Sequence, residues 1–329
     1  MRAPGFWWEE PGAMSALLSP LASIYGSIAA RRLAQDGARV GIPVICVGNP
    51  TVGGAGKTPT AIAIARLLIA AGERPVFLSR GYGGRLVGPV MVEAGHTAVQ
   101  VGDEPLLLAR VAPAIVAEDR VAGARLAKEQ GASVIVMDDG FQNPSLAKDL
   151  SILVVDARGV GNGEVLPAGP LRAPLDPQLS RASAILLVGE TVPAMEGIAR
   201  ERDLPVFHGR LEPDPGAVAS LRAKKVLAFA GIGDPEKFFA TLRSAGVDAP
   251  VRRAFGDHHR YSAAQARALI RDARTDGLEL LTTEKDLVRV KDDANLAMLA
   301  ARTRALPVTL KIAETEAFGR LVLDAIKRI

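Results

Sequence analysis

The sequence predicts an α/β fold: a doubly wound, mostly parallel sheet, followed by a second, smaller α/β unit. Three observations carry this expectation. Short apolar runs recur as "VICV" (44–47), "PVFL" (75–78), "VIVM" (134–137), "ILVV" (152–155) and "AILLV" (184–188). They are continuous rather than alternating, as in parallel strands covered on both faces. Helical patterns, Thr60–Ala71 and Asp119–Gln130 among them, lie between the runs, which is how doubly wound sheets are built. A further strand–helix series then follows downstream.

That series is "KVLAFAGI" (225–232) as a strand, Pro235–Ala245 and Ala263–Ala273 as helices, and "LELLTT" (278–283) as a strand. It is flanked by "PVFHGRL" (205–211) and "PVTLKI" (307–312), which are expected to pair as a two-stranded β connector. The expected organisation is a core over 1–204, a smaller α/β domain with its connector strands over 205–312, and a terminal segment, 313–329, whose helix Thr315–Ile329 could return to the core. The glycine- and proline-rich stretch Gly159–Pro177 is long for a plain connection and reads as a working loop.

Composition bounds the function. Hydrophobic residues make up 48% of the 329 and charged residues 23%, a globular balance. The net charge of +4 is spread among acids. It allows an anionic substrate or an anionic membrane surface and does not point to nucleic acid. The single cysteine, Cys46, excludes an internal disulfide and any cysteine-based zinc cage.

The uncharged stretch 13–30 is expected to be interrupted by Pro20, Gly26 and its serines, and it is at the short limit for crossing a bilayer. Glu9 and Glu10 precede it, unlike the basic start of a signal peptide. Leu17, Leu21, Ile24 and Ile28 share one helical face, with Leu18 and Tyr25 beside them, and Ser15, Ser19, Ser23 and Ser27 lie away from it. Phe6, Trp7 and Trp8 precede the helix and Arg31 and Arg32 follow it, as at a lipid interface. Packing on its own domain is the competing reading.

"PVICVGNPTVGGAGKTPTAIAIARLL" reads strand, glycine loop, helix. This is the context of a phosphate-binding loop, G-x-x-x-x-G-K-[ST], with Thr51 at the first glycine. Over Thr51, Val52, Gly53, Gly54, Ala55 and Gly56 the glycines allow backbone N–H groups to turn toward phosphate oxygens. Lys57 supplies a point charge and Thr58 a hydroxyl for Mg²⁺. The fold expected is therefore P-loop NTPase-like, with ATP and Mg²⁺ as cofactors. "VIVMDDGFQN" delivers Asp138 and Asp139 to a strand's C-terminal edge, where one of them can serve the metal.

Val52 stands where the partitioning ATPases carry their signature lysine, which disfavours a dimerising switch. "TEKD" (283–286) has Glu284 in the lysine slot of a guanine-reading motif. A kinase needs a base near its acceptor, and "VGDEPLLLAR" offers Asp103 and Glu104, which also suit a helix start.

Together, "GNPTVGGAGKTP", "SRGYGG", "VGDEP", "AEDR", "DDGFQN", "LPAGPLRAP", "AFAGIGDPEKFF", "FGDHHRY" and "TTEKD" run in order through nearly the whole chain. In these motifs the sequence resembles the tetraacyldisaccharide 4'-kinases, in which threonine at position 51 is usual. The resemblance implies ATP-dependent phosphorylation of the 4'-hydroxyl of a tetraacylated glucosamine disaccharide 1-phosphate. It implies that Asp103 is the general base and that His258 orients it or tunes its pKa, although sequence does not separate His258 from His259. Lys57, Thr58, Asp138 and Asp139 fall to the Mg-ATP site. Arg120, Gln142, Asn143 and Arg172, with Glu104, Arg80 and Tyr82, match positions facing the active site or acceptor. His96 and His208 look incidental.

The resemblance further implies work at the cytoplasmic face of the inner membrane, with the chain expected to be a peripheral monomer. A substrate with four acyl chains stays in lipid, since each buried methylene is worth about 0.8 kcal/mol. The N-terminal helix is then favoured as a docking surface. A membrane-associated ATPase switch and a soluble small-molecule kinase or ligase are the alternatives.

Overall fold

The apolar runs become strands buried along their whole length. A computed structural model describes residues 3–190 and 192–327. Its strands are β1 (Val44–Gly48), β2 (Pro75–Ser79), β3 (Val90–Met91), β4 (Ala114–Val116), β5 (Val134–Asp138), β6 (Leu150–Asp156), β7 (Ala184–Val188), β8 (Val206–Pro213), β9 (Lys225–Ala230), β10 (Asp248–Ala254), β11 (Glu279–Thr283), β12 (Thr303–Leu306) and β13 (Val308–Ile312).

One nine-stranded sheet has the order β13-β8-β7-β6-β1-β5-β2-β4-β3. Its pairs are parallel except at the two edges, where β13 meets β8 and β3 meets β4 antiparallel. The segments expected as a connector do pair, and they extend this sheet: β8 runs beside β7. On one face, Ala61, Ile64 and Leu68 of the helix Lys57–Ala70 join Phe318, Val322 and Ala325 of the helix Thr315–Lys327 in one core. Arg328 and Ile329, expected at the end of that last helix, lie outside the described residues. The other face is covered by Ala124 and Ala127 of the helix Arg120–Glu129, with Leu179, Met195 and Ala199.

The second sheet, β10-β9-β11-β12, is wholly parallel. Phe238, Phe239 and Leu242 of the helix Pro235–Ser244 cover one face, and Ala266, Leu269 and Ala273 of Ala263–Thr275 the other. β3, β4, β10 and β12 carry no strong sequence signal. β3 and β4 are two and three residues long, and β10 is an edge strand with exposed arginines.

The N-terminal helix corrects one expectation. It runs unbroken from Ala13 to Leu33 with Pro20 inside it. Pro20 and the Ala16 carbonyl it leaves unbonded are both exposed, so water replaces the forfeited backbone bond. The helix is long and apolar enough to cross a membrane by length and composition. It turns small residues to the protein: Ser15, Ala22 and Gly26 are buried, with Leu33 at the end. Gly26 packs beside Pro174, where a Cβ would sit at ordinary contact distance, 3.4 Å from the proline ring. Ser15, expected on the far side, instead accepts a hydrogen bond from Asn162 Nδ2 at 3.0 Å. Met14, Leu17, Leu21, Ile24, Tyr25 and Ile28 face outward, Leu17 with 73% exposure.

Candidate active site

β1 and β5 pair so that Val47 lies opposite Asp138. The glycine loop leaving β1 and the two carboxylates ending β5 therefore meet at one sheet edge. Gly53 and Gly56 have φ of +106° and +96°, which L side chains rarely adopt. Gly56 opens directly into the helix from Lys57, whose first N–H groups face the loop.

Lys57 is buried. Its Nζ donates to Asn49 Oδ1 at 3.0 Å and lies 3.7 Å from Asp139 Oδ2. Thr58 Oγ1 donates to Asp138 Oδ2 at 3.1 Å. The other oxygen, Asp138 Oδ1, is buried with no hydrogen-bond partner among the described residues. Burial, with Glu104 and Asp139 nearby, pushes the Asp138 carboxyl up to about 7. A buried, half-satisfied carboxylate beside a threonine hydroxyl is a donor set suited to a hard cation.

Asp139, at φ +55°, differs. Arg172 forks onto it at 2.9 and 3.3 Å. Burial alone would raise its pKa, but Lys57 and Arg172 outweigh this and hold it below its usual value. Arg172 comes from the stretch Gly159–Pro177, and its Nε donates to the Thr51 carbonyl at 3.0 Å.

Asp103 opens the helix Asp103–Leu108 and is 3% exposed. His258 Nδ1 reaches it from the second sheet's side, 3.4 Å from Oδ2. Burial opposes the charged form of each. The contact between them, aided by Arg289 and Lys285 at Asp103 and by Asp257 at His258, wins. It holds the Asp103 carboxyl well below the usual range and leaves the His258 pKa raised. His258 has φ +52°, and Tyr82 lies over its ring with centroids 4.9 Å apart. His259 points elsewhere: it stacks on Phe255 and its Nε2 lies 3.0 Å from Gln265.

The phosphate loop, Asp138, Asp139, Arg172 and His258 border one cleft of about 1550 Å³ between the two sheets. That exceeds the usual range for one small ligand, roughly 300–1,000 Å³. Val52, Gly53, Gly54, Gly56, Lys57, Thr58, Arg80, Tyr82, Glu104, Asp138, Asp139, Gln142, Arg172 and His258 all line it. Thr51 and Ala55 support the loop from behind, both buried. Gln142 lines the wall, its Nε2 donating to the Asn49 carbonyl and to Gln178 Oε1, each at 2.9 Å.

Asp103, the expected base, is not itself on the cleft wall but lies behind His258, and Asn143 and Arg120 are not on the wall either. Asn143 builds a turn, its Oδ1 accepting from the Ser145 backbone and hydroxyl at 2.9 and 2.7 Å. Arg120 is buried at its helix start, where Nη1 donates to the Ala117 carbonyl.

The structure adds Asn49, Lys237, Lys285 and Arg289, which were not singled out from sequence. Asn49 sits in "GNPT", two residues before the loop. Lys285 lies within "TTEKD", a stretch that carries the family resemblance without assigning this lysine a role, and Arg289 follows one helical turn later. That i, i+4 spacing was the available signal.

Comparison with known proteins matches this architecture. The model of the family described as LpxK, tetraacyldisaccharide-1-P 4'-kinase, covers residues 14–327. The tetraacyldisaccharide 4'-kinase of Rhodopseudomonas palustris (strain BisB18) is 53% identical over 98% of this chain and 96% of its own length. That of Methylobacterium nodulans (strain LMG 21967 / CNCM I-2342 / ORS 2060) is 56% identical over 96% and 94%. The crystal structure of "apo" form LpxK from Aquifex aeolicus in complex with ATP superposes with a TM-score of 0.74 at 28% identity, covering 95% of this chain and 99% of that one. With a family match from the N-terminal helix to the last described residue, the chain belongs to the tetraacyldisaccharide-1-P 4'-kinase family.

Proposed function

We propose that this kinase moves the γ-phosphoryl group of Mg-ATP to the 4'-hydroxyl of tetraacyldisaccharide 1-phosphate in a cleft built from two domains, the first around the nine-stranded sheet, β8 and β13 included, and the second around the sheet β10-β9-β11-β12. One observation carries the reading. Asp103 of the first and His258 of the second stand 3.4 Å apart beside a complete Gly-Lys-Thr loop. A sugar hydroxyl is a weak nucleophile, and a positioned base can take its proton as the bond to phosphorus forms.

In this reading the Asp103–His258 pair accepts that proton, with His258 presented to the cleft and Asp103 behind it. Lys57 and the loop N–H groups bind the phosphates. Asp138 and Thr58 hold Mg²⁺, which supplies charge neutralisation to the phosphates when bound. The open Asp138 Oδ1 supports this choice over Asp139, which Arg172 and Lys57 already occupy. Arg172, aligned by Asp139, offsets charge on the transferring group. Tyr82, Arg80, Glu104 and Gln142 bind the acceptor disaccharide. Arg120 and Asn143 support the walls from behind.

The outward apolar face of Ala13–Leu33 is the membrane contact, and its packed small face holds the helix against the protein rather than across the bilayer. The site of action is then peripheral, on the cytoplasmic face of the inner membrane. A nucleotide-driven dimeric switch is disfavoured by Val52, which cannot supply a cation across a dimer.

Purified protein, Mg-ATP and the disaccharide lipid in detergent micelles test the reading. The expected product carries one added phosphate. Asp103→Ala is expected to lower kcat by about 100-fold or more, as for loss of a general base, with ATP binding retained. Near-normal turnover of that variant would remove Asp103 from the proton path.

A further inference from the structure

Asp103 and Glu104 are adjacent acids on the first sheet's side of the cleft, and one face of the helix Glu284–Lys291, after β11, meets both. Lys285 Nζ lies 2.6 Å from Glu104 Oε1. One turn on, Arg289 Nε donates to Asp103 Oδ2 at 2.7 Å, and Nη2 lies 2.6 Å from the same oxygen. Arg289 is itself fixed. Its Nη1 donates to the Gly231 carbonyl at 2.8 Å and to Asp286 Oδ1 at 2.9 Å, and its side chain is 9% exposed. Asp286 is fully buried and held by Tyr261, Thr283 and the Gly231 N–H.

The two oxygens of Asp103 are thus divided. Oδ1 accepts the Glu104 N–H at 2.9 Å. Oδ2 is shared by Arg289 and His258. A contact serving only to hold two units together has no need to bind the oxygen facing the histidine. Burying such a pair also costs desolvation that a plain apolar contact avoids.

We propose that Arg289 is a positioning residue for phosphoryl transfer. Its Nε hydrogen bond to Asp103 Oδ2, with the guanidinium charge held against that oxygen, fixes the carboxylate against His258 Nδ1 when the second sheet's unit is seated, and Lys285 on Glu104 sets the register of that seating. The inference rests on the Asp103–His258 pair being the proton acceptor. Both partners from the second sheet's side, His258 and Arg289, must arrive together for Asp103 to be fully placed.

The test is steady-state kinetics on the full chain in lipid–detergent micelles. Arg289→Gln is expected to lower kcat about 100-fold, the low end of what a positioned base contributes, with KM for ATP little changed. Loss of the guanidinium makes both Asp103 and His258 easier to protonate, so the acid limb of kcat moves to higher pH. In an Asp103→Asn background the same change is expected to cost nothing further, because its effect runs through Asp103. Arg289→Lys keeps the charge without the rigid planar guanidinium and is expected to recover part of the loss.

A kcat for Arg289→Gln within threefold of wild type, an unmoved acid limb, or a full multiplicative loss in the double variant overturns the proposal. If Arg289→Gln lacks a cooperative thermal transition, Arg289→Lys decides: a kcat down about 10-fold at unchanged Tm supports positioning by the planar guanidinium, and wild-type kcat overturns it. Full turnover by Asp103→Asn alone would refute the acceptor-pair reading itself. An inactive Asp103→Asn beside a normal Arg289→Gln removes only this inference.

Discussion

Lys57 is held in place by near neighbours in the chain: its Nζ donates to Asn49 Oδ1 and to the Gly53 carbonyl. The loop was legible, because strand, glycines, lysine and threonine are contiguous in sequence, while the part played by Asn49 was not. The choice between His258 and His259 was not, since both sit in one polar stretch far from Asp103. The backbone decides it: the left-handed conformation at His258 turns one ring to the cleft, while Phe255 and Gln265 take the other. A titration prediction follows from the contact. Burial lowers the His258 pKa, but Asp103 outweighs it, so the folded value stands above an ordinary histidine's. A base that must be neutral is then lost as pH falls through that raised value. Asp103→Asn removes the carboxylate and leaves the burial, so the His258 pKa is expected to fall. Ring resonances followed by NMR across pH check this, and an unmoved or rising pKa would contradict the pairing.

At the scale of elements, the continuous strands β1, β5, β6 and β7 were legible because each carries four or five adjacent apolar residues. β10 was not, as its exposed arginines erase the pattern. The N-terminal helix was half legible. Its apolar stripe was visible, but the face it packs is made of small residues, whose burial depends on Asn162 and Pro174 more than a hundred positions away. The outward stripe makes a separable prediction. Leu21 and Ile24 are mostly exposed, so replacing both with serine is expected to leave Tm within about 2 °C, as for most surface changes. Lipid binding should respond differently. Losing two apolar side chains from an interfacial helix is expected to weaken vesicle binding by at least about 10-fold, given roughly 1.5–3 kcal/mol for each fully buried side chain. Sedimentation with vesicles of anionic phospholipid checks it. Unchanged binding would reject this helix as the membrane contact.

Across the whole molecule, two sheets meet over the cleft through ion pairs at opposite ends. Arg289 and Lys285 hold Asp103 and Glu104 at one end. At the other, Lys237 Nζ lies 2.5 Å from Asp156 Oδ2, at the C-terminal end of β6. Arg158 also pairs with Asp156 at 2.8 Å, lies close to Gly53 and sits under the Trp8 ring. Gly233 approaches so closely that a Cβ there would sit 3.1 Å from the Gly54 nitrogen. The contacts of Lys237, Gly233, Lys285 and Arg289 were not legible from sequence, because each joins segments from different sheets. It makes the phosphate loop a place where the second sheet's unit is felt. Lys237→Glu sets a carboxylate against Asp156, and apposed like charges cost several kcal/mol unless the units part. Each sheet keeps its own core, so cooperative unfolding should persist. The expected signs are faster amide exchange over residues 231–244 and a KM for ATP raised by about 5-fold or more, since about 1 kcal/mol of lost seating accounts for that factor. Lys237→Ala, which leaves Arg158 on Asp156, should fall between this variant and wild type. Wild-type exchange and an unchanged KM in Lys237→Glu would mean that seating at this end does not reach the nucleotide loop.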